Sequence, residues 1–198
     1  MLLLGGAAQS PAKTGPNPFL GGAVLRFHDA HLRQVYPHPV AIGLSVPLTT
    51  VNGVSLNATA AIAWERTESG RRGFVDQGQN RVRFLPVGLQ APYRLPLGAG
   101  WVAGAGPQLV WVWFREEWNA SVRVADVEAS GHATGTWVGV GGMIEIGTGA
   151  GRYGAFRLGA EANWTKGERR TARGNENRTE PMKGGWDMVY LRWSPPVR

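Results

Sequence analysis

The sequence predicts an all-β fold, an eight-stranded antiparallel up-and-down transmembrane β-barrel. Three observations lead to this prediction. Apolar residues recur at every second position in eight segments, short and long connections alternate between them, and aromatic residues gather at both ends of the apolar faces. With 198 residues, the chain has the length of one domain.

The segment 54–65 shows the alternation most clearly, because its even positions are all apolar and its odd positions are mostly small or polar. Such a pattern is typical of a strand with two different environments. The same pattern predicts strands within 19–27, 40–48, 85–93, 101–113, 138–146, 156–164 and 189–193. In the first strand the apolar face is expected to hold Phe19, Gly21, Ala23, Leu25 and Phe27. No segment shows a comparable helical stripe.

The connections differ in length on the two sides of the predicted sheet. Short turns are expected near 49–53, 95–99 and 147–151, and long polar loops near 28–39, 66–80, 116–130 and 165–184. This sorting is the layout of a membrane barrel, with short turns on one rim and long loops on the other.

Aromatic residues provide a second, independent indication of a membrane. They lie at the two ends of the apolar faces, with aliphatic residues and alanine between them, as the two membrane interfaces favour. The predicted membrane-interface aromatics are Phe19, Phe27, Trp64, Tyr93, Trp101, Trp111, Trp113, Trp164 and Trp193. A soluble barrel would instead point its large apolar side chains inward.

The opposite face then lines the lumen, which eight strands leave just wide enough for side chains to fill. It carries many glycines, which make room for long side chains, and charged residues of both signs that can pair. The predicted lumen network consists of Arg26, Glu65, Gln90, Arg94, Gln108, Glu145, Arg157, Glu161, Tyr190 and Arg192.

Composition excludes several other classes. The absence of cysteine rules out a disulfide scaffold and thiolate metal sites. The net charge of +7 invites a nucleic-acid partner, but the basic residues lie beside glutamates and form no known binding motif, so none is expected. Residues 1–18 form a separate N-terminal segment that has the apolar and small residues of a signal-peptide remnant, 19–193 the barrel, and 194–198 a C-terminal tail.

No chemical motif indicates catalysis, a cofactor or a metal site. His28, His31 and His38 fall in the first long loop and are interpreted as solvated residues. His132 lies near Ser130 in the sequence, so a serine–histidine hydrolase or acyltransferase acting on lipid A stays open. Such an enzyme would need a hydrogen bond between the serine oxygen and the imidazole, and spacing in the sequence does not establish one.

Three segments resemble the small bacterial outer-membrane β-barrel proteins of the opacity-protein, OmpA-domain and OmpW-like group. The first, 19–23 followed by 29–36, resembles the first strand and its short excursion. The second, 83–89 continuing to 101–106, resembles the central hairpin. The third, 185–193, resembles the closing strand with its assembly signal Val189, Leu191 and Trp193. Here five residues follow that signal, which normally ends the chain.

The resemblance implies a bacterial outer-membrane protein with a structural or surface-presenting role and a largely plugged lumen. Its expected partners are outer-membrane lipid and lipopolysaccharide, the barrel-assembly machinery, and a protein bound through the long loops. A narrow channel for small or hydrophobic solutes, a lipid-modifying enzyme and a soluble lipocalin-like binder stay open as alternatives.

Overall fold

A computed structural model describes residues 17–68, 75–122, 127–149 and 151–196. Most of the predicted N-terminal segment, residues 1–16, therefore lies outside the described residues. The described elements are β1 (Phe19–Phe27), α1 (Ala30–Val35), β2 (Val40–Val51), β3 (Val54–Glu68), β4 (Val75–Gln90), β5 (Tyr93–Gly98), β6 (Trp101–Val122), β7 (Val127–Thr148), β8 (Ala155–Arg173) and β9 (Glu176–Ser194). Among these residues, no helix is long and apolar enough to cross a membrane.

The strands form one antiparallel sheet that closes on itself. Strands that follow each other in the chain pair, except β4 and β5, and β1 pairs with β9 as well as with β2, which completes the ring. This confirms the predicted up-and-down barrel. One end, the loop side, carries the segment 28–39 and the turn between β8 and β9; the other, the turn side, carries tight turns such as Asn52–Gly53, where both residues have positive φ.

The described residues contain nine strands instead of eight because the predicted fourth strand is interrupted. β4 and β5 both pair with β3 and β6, so they occupy one position in the ring. The break falls at Ala91–Pro92, since proline has no N–H to donate. Hydrogen bonds from the Ala91 amide to the Pro107 carbonyl (3.0 Å) and from the Ser55 amide to the Pro92 carbonyl (2.9 Å) bridge the interruption.

Three of the predicted long loops are wrong, because most of 66–80, 116–130 and 165–184 continues as strand. β6 and β7 each have 22 residues, about twice the ~9–11 that cross a bilayer. β8 and β9 are joined by a tight turn at Gly174. In these extensions the outer face of the sheet is polar, so the run of apolar residues at every second position that reveals the membrane-spanning part of the strand ends there.

The apolar faces point outward on every predicted strand except the first. Ile42, Ile144, Leu158 and Leu191 are typical, each more than half exposed. Exposed apolar area of this extent is what a lipid-facing surface requires.

For β1 the predicted faces are reversed. Phe27 is buried inside the barrel and Phe19 also faces inward, whereas Leu20, Val24 and Arg26 point outward. The expected roles of Phe19 and Phe27 as interface aromatics, and of Arg26 as a lumen residue, are therefore wrong. The strand has apolar side chains on both faces, so alternation alone did not distinguish them.

Inward-facing glycines allow the strands to pack closely, as Gly139 on β7 shows. A Cβ atom there would lie 2.0 Å from the Trp164 carbonyl oxygen and 2.8 Å from the Thr165 Cα, both backbone atoms. We expect Gly139→Ala to lower the free energy of unfolding by about 1–3 kcal/mol, since the neighbouring strand must shift.

The matched control is Gly142→Ala on the outer face of the same strand, where the nearest atom would be 3.8 Å away. Urea unfolding in detergent micelles measures both variants. Equal stabilities would contradict the close packing.

Candidate functional site

The turn-side half of the lumen is filled by a polar layer. We use this name for inward-facing side chains that come from β4–β9 and are mostly buried: Gln90, Arg94, Gln108, Glu145, Arg157, Glu161, Asn163 and Arg192. Because so many strands contribute, the layer connects opposite walls of the barrel.

Amide groups form the centre of the polar layer. Gln90 Nε2 donates to Gln108 Oε1 at 2.7 Å and to Glu161 Oε2 at 2.9 Å. Gln108 Nε2 donates in turn to Asn163 Oδ1 at 2.7 Å. Arg192 Nη1 lies 3.4 Å from Gln90 Oε1 and its guanidinium stacks over the Tyr190 ring at 3.8 Å. The chain of bonds spans the lumen from β4 to β8 and β9.

Glu145 is the anion that two arginines share. Its Oε1 lies 3.1 Å from Arg94 Nε and 3.7 Å from Arg157 Nε, and its side chain is only 5% exposed. Arg94 also donates to Ser55 Oγ at 3.1 Å, and Arg157 to the Thr148 carbonyl at 2.5 Å. These contacts supply the partners that buried charges need at the turn-side end of the lumen.

Towards the loop side the filling becomes aromatic. The ring of Phe84 contacts those of Phe27, Trp137 and Trp186, and its centroid lies 5.3, 6.1 and 4.8 Å from theirs, respectively. Phe114 stacks on Trp137 at 5.0 Å. All five side chains are almost completely buried, so this cluster forms the apolar core of the barrel.

The helix α1 lies over this aromatic core at the loop-side end of the barrel, and we call α1 the plug. Asp29 caps it by accepting a hydrogen bond from the Leu32 amide at 2.8 Å. Leu32 and Tyr36 are fully buried against the core. Burial raises the pKa of the Tyr36 hydroxyl, which stays protonated.

A charged group connects α1 to the barrel wall. The Glu116 carboxylate, 3% exposed, lies 2.6 Å from Arg169 Nη2 and 3.6 Å from His31 Nε2. Beside it, His28 Nε2 lies 2.9 Å from Asp187 Oδ1. The Glu116 carboxylate raises the pKa of His31, against the opposing effect of partial burial and of Arg169.

We expect the plug to be held more tightly in acid. A raised pKa means that the folded protein favours the protonated form of His31. The contribution of this protonated side chain to folding stability is therefore fully present below the ordinary pKa near 6.5 and is lost as the pH rises through the raised pKa. Because His31 is more than half exposed, the effect should stay below about 1 kcal/mol.

Amide hydrogen exchange of α1 between pH 5.5 and 8.5, corrected for the intrinsic exchange rate, measures this dependence. His31→Gln should flatten it, whereas His132→Gln, an exposed histidine on β7, should not. The same pH dependence in His31→Gln would contradict the assignment.

The structure brings together most of the predicted lumen residues. Gln90, Gln108, Glu161 and Arg192 meet in one group, and Arg94, Glu145 and Arg157 in another. Tyr190 is buried beside Arg192. Glu65 faces inward but lies apart on the loop side, where it accepts a hydrogen bond from the His38 amide at 3.3 Å.

The predicted interface aromatics other than Phe19 and Phe27 face outward. Seven residues form this group: Trp64, Tyr93, Trp101, Trp111, Trp113, Trp164 and Trp193. Cross-strand pairing sets Trp101 opposite Thr148 and Trp111 opposite Val138, ten residues apart along β7. This separation matches the ~9–11 residues of a membrane-spanning strand.

Sequence reasoning missed the aromatic core and the plug. The signal for the core was present, because Phe84, Phe114 and Trp137 each stand one position from an outward-facing apolar residue and so belong to the opposite face. For α1 the signal was Asp29 followed by residues that favour a helix.

The residues considered for hydrolysis lie on the outer face. Cross-strand pairing sets His132 opposite Glu117 and Ser130 opposite Asn119. The Glu117 carboxylate, however, binds Arg115 Nε at 2.8 Å. Within the described part of the chain, no hydrogen bond joins Ser130, His132 and Glu117, and no cluster of three or more histidine, aspartate and glutamate residues could hold a metal ion.

Comparison with known proteins identifies the fold. No protein-family model and no curated protein sequence matches the chain. Among solved structures, the chain is similar to a major outer membrane protein from Thermus thermophilus, with a TM-score of 0.54, 6% identity, and 92% of this chain and 99% of the other covered. It is also similar to Ail, the attachment invasion locus protein of Yersinia pestis, in complex with the heparin analogue sucrose octasulfate, with a TM-score of 0.50, 10% identity, and 91% and 99% covered. The chain thus has the fold of small outer-membrane β-barrel proteins.

Proposed function

We propose that the protein resides in a bacterial outer membrane, where its closed barrel holds the loop-side hairpins at the cell surface as a structural or surface-presenting platform. The observation that supports this proposal is that buried side chains occupy both ends of the lumen. The polar layer connects opposite walls on the turn side, and Leu32 of α1 and Tyr36, which follows the helix, are buried against the aromatic core on the loop side.

The proposed partners follow from the surfaces. Lipid and lipopolysaccharide surround the outward apolar face, and the closing strand with Val189, Leu191 and Trp193 engages the barrel-assembly machinery. The extensions of β6–β9 beyond the tryptophans offer a surface for a protein partner. No enzymatic step is proposed, and His132→Ala should therefore leave the lipid A of producing cells unchanged in mass spectra.

Conductance in planar bilayers tests the closed lumen. The full chain should insert and produce no discrete conductance steps, while its unheated form runs faster than its boiled form in SDS gels, as a folded barrel does. The triple variant Gln90→Ala, Glu161→Ala and Tyr36→Ala, which thins both closures, serves as the opened control. Steps with the unsubstituted protein would overturn the platform proposal.

One observation favours a narrow channel as the second candidate. Among the described residues, several buried lumen atoms have no hydrogen-bond partner, including Asn57 Oδ1, Asn163 Nδ2 and the Tyr190 hydroxyl. A single row of water molecules along the lumen would supply hydrogen-bond partners for these atoms. The same bilayer recording separates the two candidates, since only the channel predicts steps without substitution.

A further inference from the structure

Four arginines lie next to one another on the outer face of the barrel. Arg66 on β3, Arg81 and Arg83 on β4, and Arg115 on β6 all point outward and are exposed. We call these four residues the arginine patch. None of them belongs to the lumen or to the plug.

The strand register places like charges directly opposite each other in this patch. Arg66 pairs with Arg81 across β3 and β4, and Arg83 pairs with Arg115 across β4 and β6. Cβ atoms of directly opposed residues are about 4.5–5.5 Å apart, and like charges at such positions destabilise a sheet. Two such pairs on adjoining strands create a need for an anion between them.

Few described groups neutralise the patch. Glu117, opposite Arg81, binds Arg115 at 2.8 Å, and Arg66 donates to Gln79. Among the described side chains, neither Arg81 nor Arg83 has an ion pair or a hydrogen bond. Four arginines against Glu117 leave an excess of three positive charges. A cleft of about 220 Å³ opens between Arg66, Arg81 and Glu117.

The patch lies at a defined height above the apolar face. Trp64 is the outer-face residue before Arg66 on β3 and pairs with Arg83, and Trp113 is the outer-face residue before Arg115 on β6. Tryptophan marks the membrane interface, so the guanidinium groups lie where lipid headgroups begin. β8 and β9 repeat the arrangement, because Lys166, next to Trp164 on the outer face, pairs with Lys183.

We propose that the arginine patch binds the phosphate group of an outer-leaflet lipid whose acyl chains lie against the apolar face below it. A guanidinium offers a planar pair of donors that matches two phosphate oxygens, and the anion would neutralise both arginine pairs. Lipid A and a glycerophospholipid share this chemistry. The proposal rests on the proposed membrane location and adds a specific lipid site to it.

Native mass spectrometry of the full chain tests the site. Delipidated protein in detergent is mixed at equal concentration with phosphatidylcholine, phosphatidylglycerol or lipid A, and adducts that survive collisional activation are counted. We expect the two anionic lipids to be retained over phosphatidylcholine, and Arg81→Gln with Arg83→Gln to reduce their retention about tenfold.

The matched control removes two exposed arginines that already have partners. Arg170 lies 3.8 Å from Glu168 and Arg178 lies 2.6 Å from Glu180, so Arg170→Gln with Arg178→Gln changes the net charge equally without touching the patch. This control should retain the anionic lipids. An equal loss in both double variants would overturn the proposal, since net charge alone would then explain it.

The lipid arms distinguish the source of the phosphate. Equal retention of phosphatidylglycerol and lipid A indicates that one phosphate suffices, and retention of lipid A alone indicates that two are needed; both support the site. If the unsubstituted protein retains the anionic lipids no better than phosphatidylcholine, the lipid site is overturned. The site is also overturned if the arginine patch binds a soluble sulfated oligosaccharide and shows no preference among the lipids. The heat-dependent gel shift of the same samples shows that each variant is folded, so absence of lipid selectivity in the unsubstituted protein with an intact shift counts against the patch and not against the barrel.

Discussion

Glu145→Gln should lower the free energy of unfolding by about 3–5 kcal/mol, because it leaves two buried arginines without their shared anion. The amide keeps the size of the side chain but supplies no negative charge to Arg94 and Arg157. Removing one partner of a buried ion pair lowers stability by more than the pair as a whole contributes, because the remaining charge stays buried without a partner. The barrel walls on the turn side should therefore separate more easily.

Urea unfolding in phospholipid vesicles, followed by tryptophan fluorescence, measures the change. Glu168→Gln is the matched control, since Glu168 faces Arg170 at 3.8 Å but is 64% exposed. An exposed pair of this kind contributes about 0–1 kcal/mol. If Glu145→Gln proved as mild as Glu168→Gln, water would have to reach the polar layer, which would favour the narrow channel over the closed platform.

The strands that cross the membrane could be predicted from the sequence because one of their faces is uniformly apolar. This was sufficient for β7, where Val138, Ile144 and Ile146 alternate with glycine and Glu145. In β1, Leu20 and Val24 oppose Phe19 and Leu25, so both faces are equally apolar and only pairing with β9 and β2 decides between them.

The strand extensions were unpredictable for a different reason. Beyond Trp164, β8 carries Lys166, Glu168 and Arg170 on its outer face and a further arginine, Arg169, on its inner face. With both faces polar, hydrogen bonding to β7 and β9 maintains the strand, and that pairing is not visible in composition. The charged residues that suggested loops are instead the outer surface of the barrel above the membrane.

The polar layer was largely predictable, whereas the plug was not. Inward positions such as Gln90 and Glu161 follow from alternation, and their pairing follows from the need of buried charges for partners. The contact between His31 and Glu116 joins positions 85 residues apart in the chain. It depends on how the segment 28–39 folds back into the barrel, which local pattern does not determine.

Ile144→Arg should be nearly as damaging as the loss of Glu145, although the two residues are neighbours on β7. Ile144 points outward and is 64% exposed, facing Ala105 and Ala160 across the strands. It lies between the positions opposite Trp101 and Trp111, near the middle of the apolar face. An arginine near the bilayer midplane costs about 2–4 kcal/mol, so insertion into vesicles and resistance to urea should both decrease.

His132→Arg provides the control on the same face of the same strand. His132 pairs with Glu117 and Ala172, beyond the tryptophans, where an added arginine should cost about 0–1 kcal/mol. The difference between the two arginine variants therefore reports depth in the bilayer, since both introduce the same side chain on the same strand. Equal tolerance of arginine at both positions would mean that the apolar face contacts protein or water instead of lipid, and the membrane location would have to be abandoned. A loss at Ile144 alone would place the apolar face in lipid, with Glu145 on the opposite side of the strand inside the lumen.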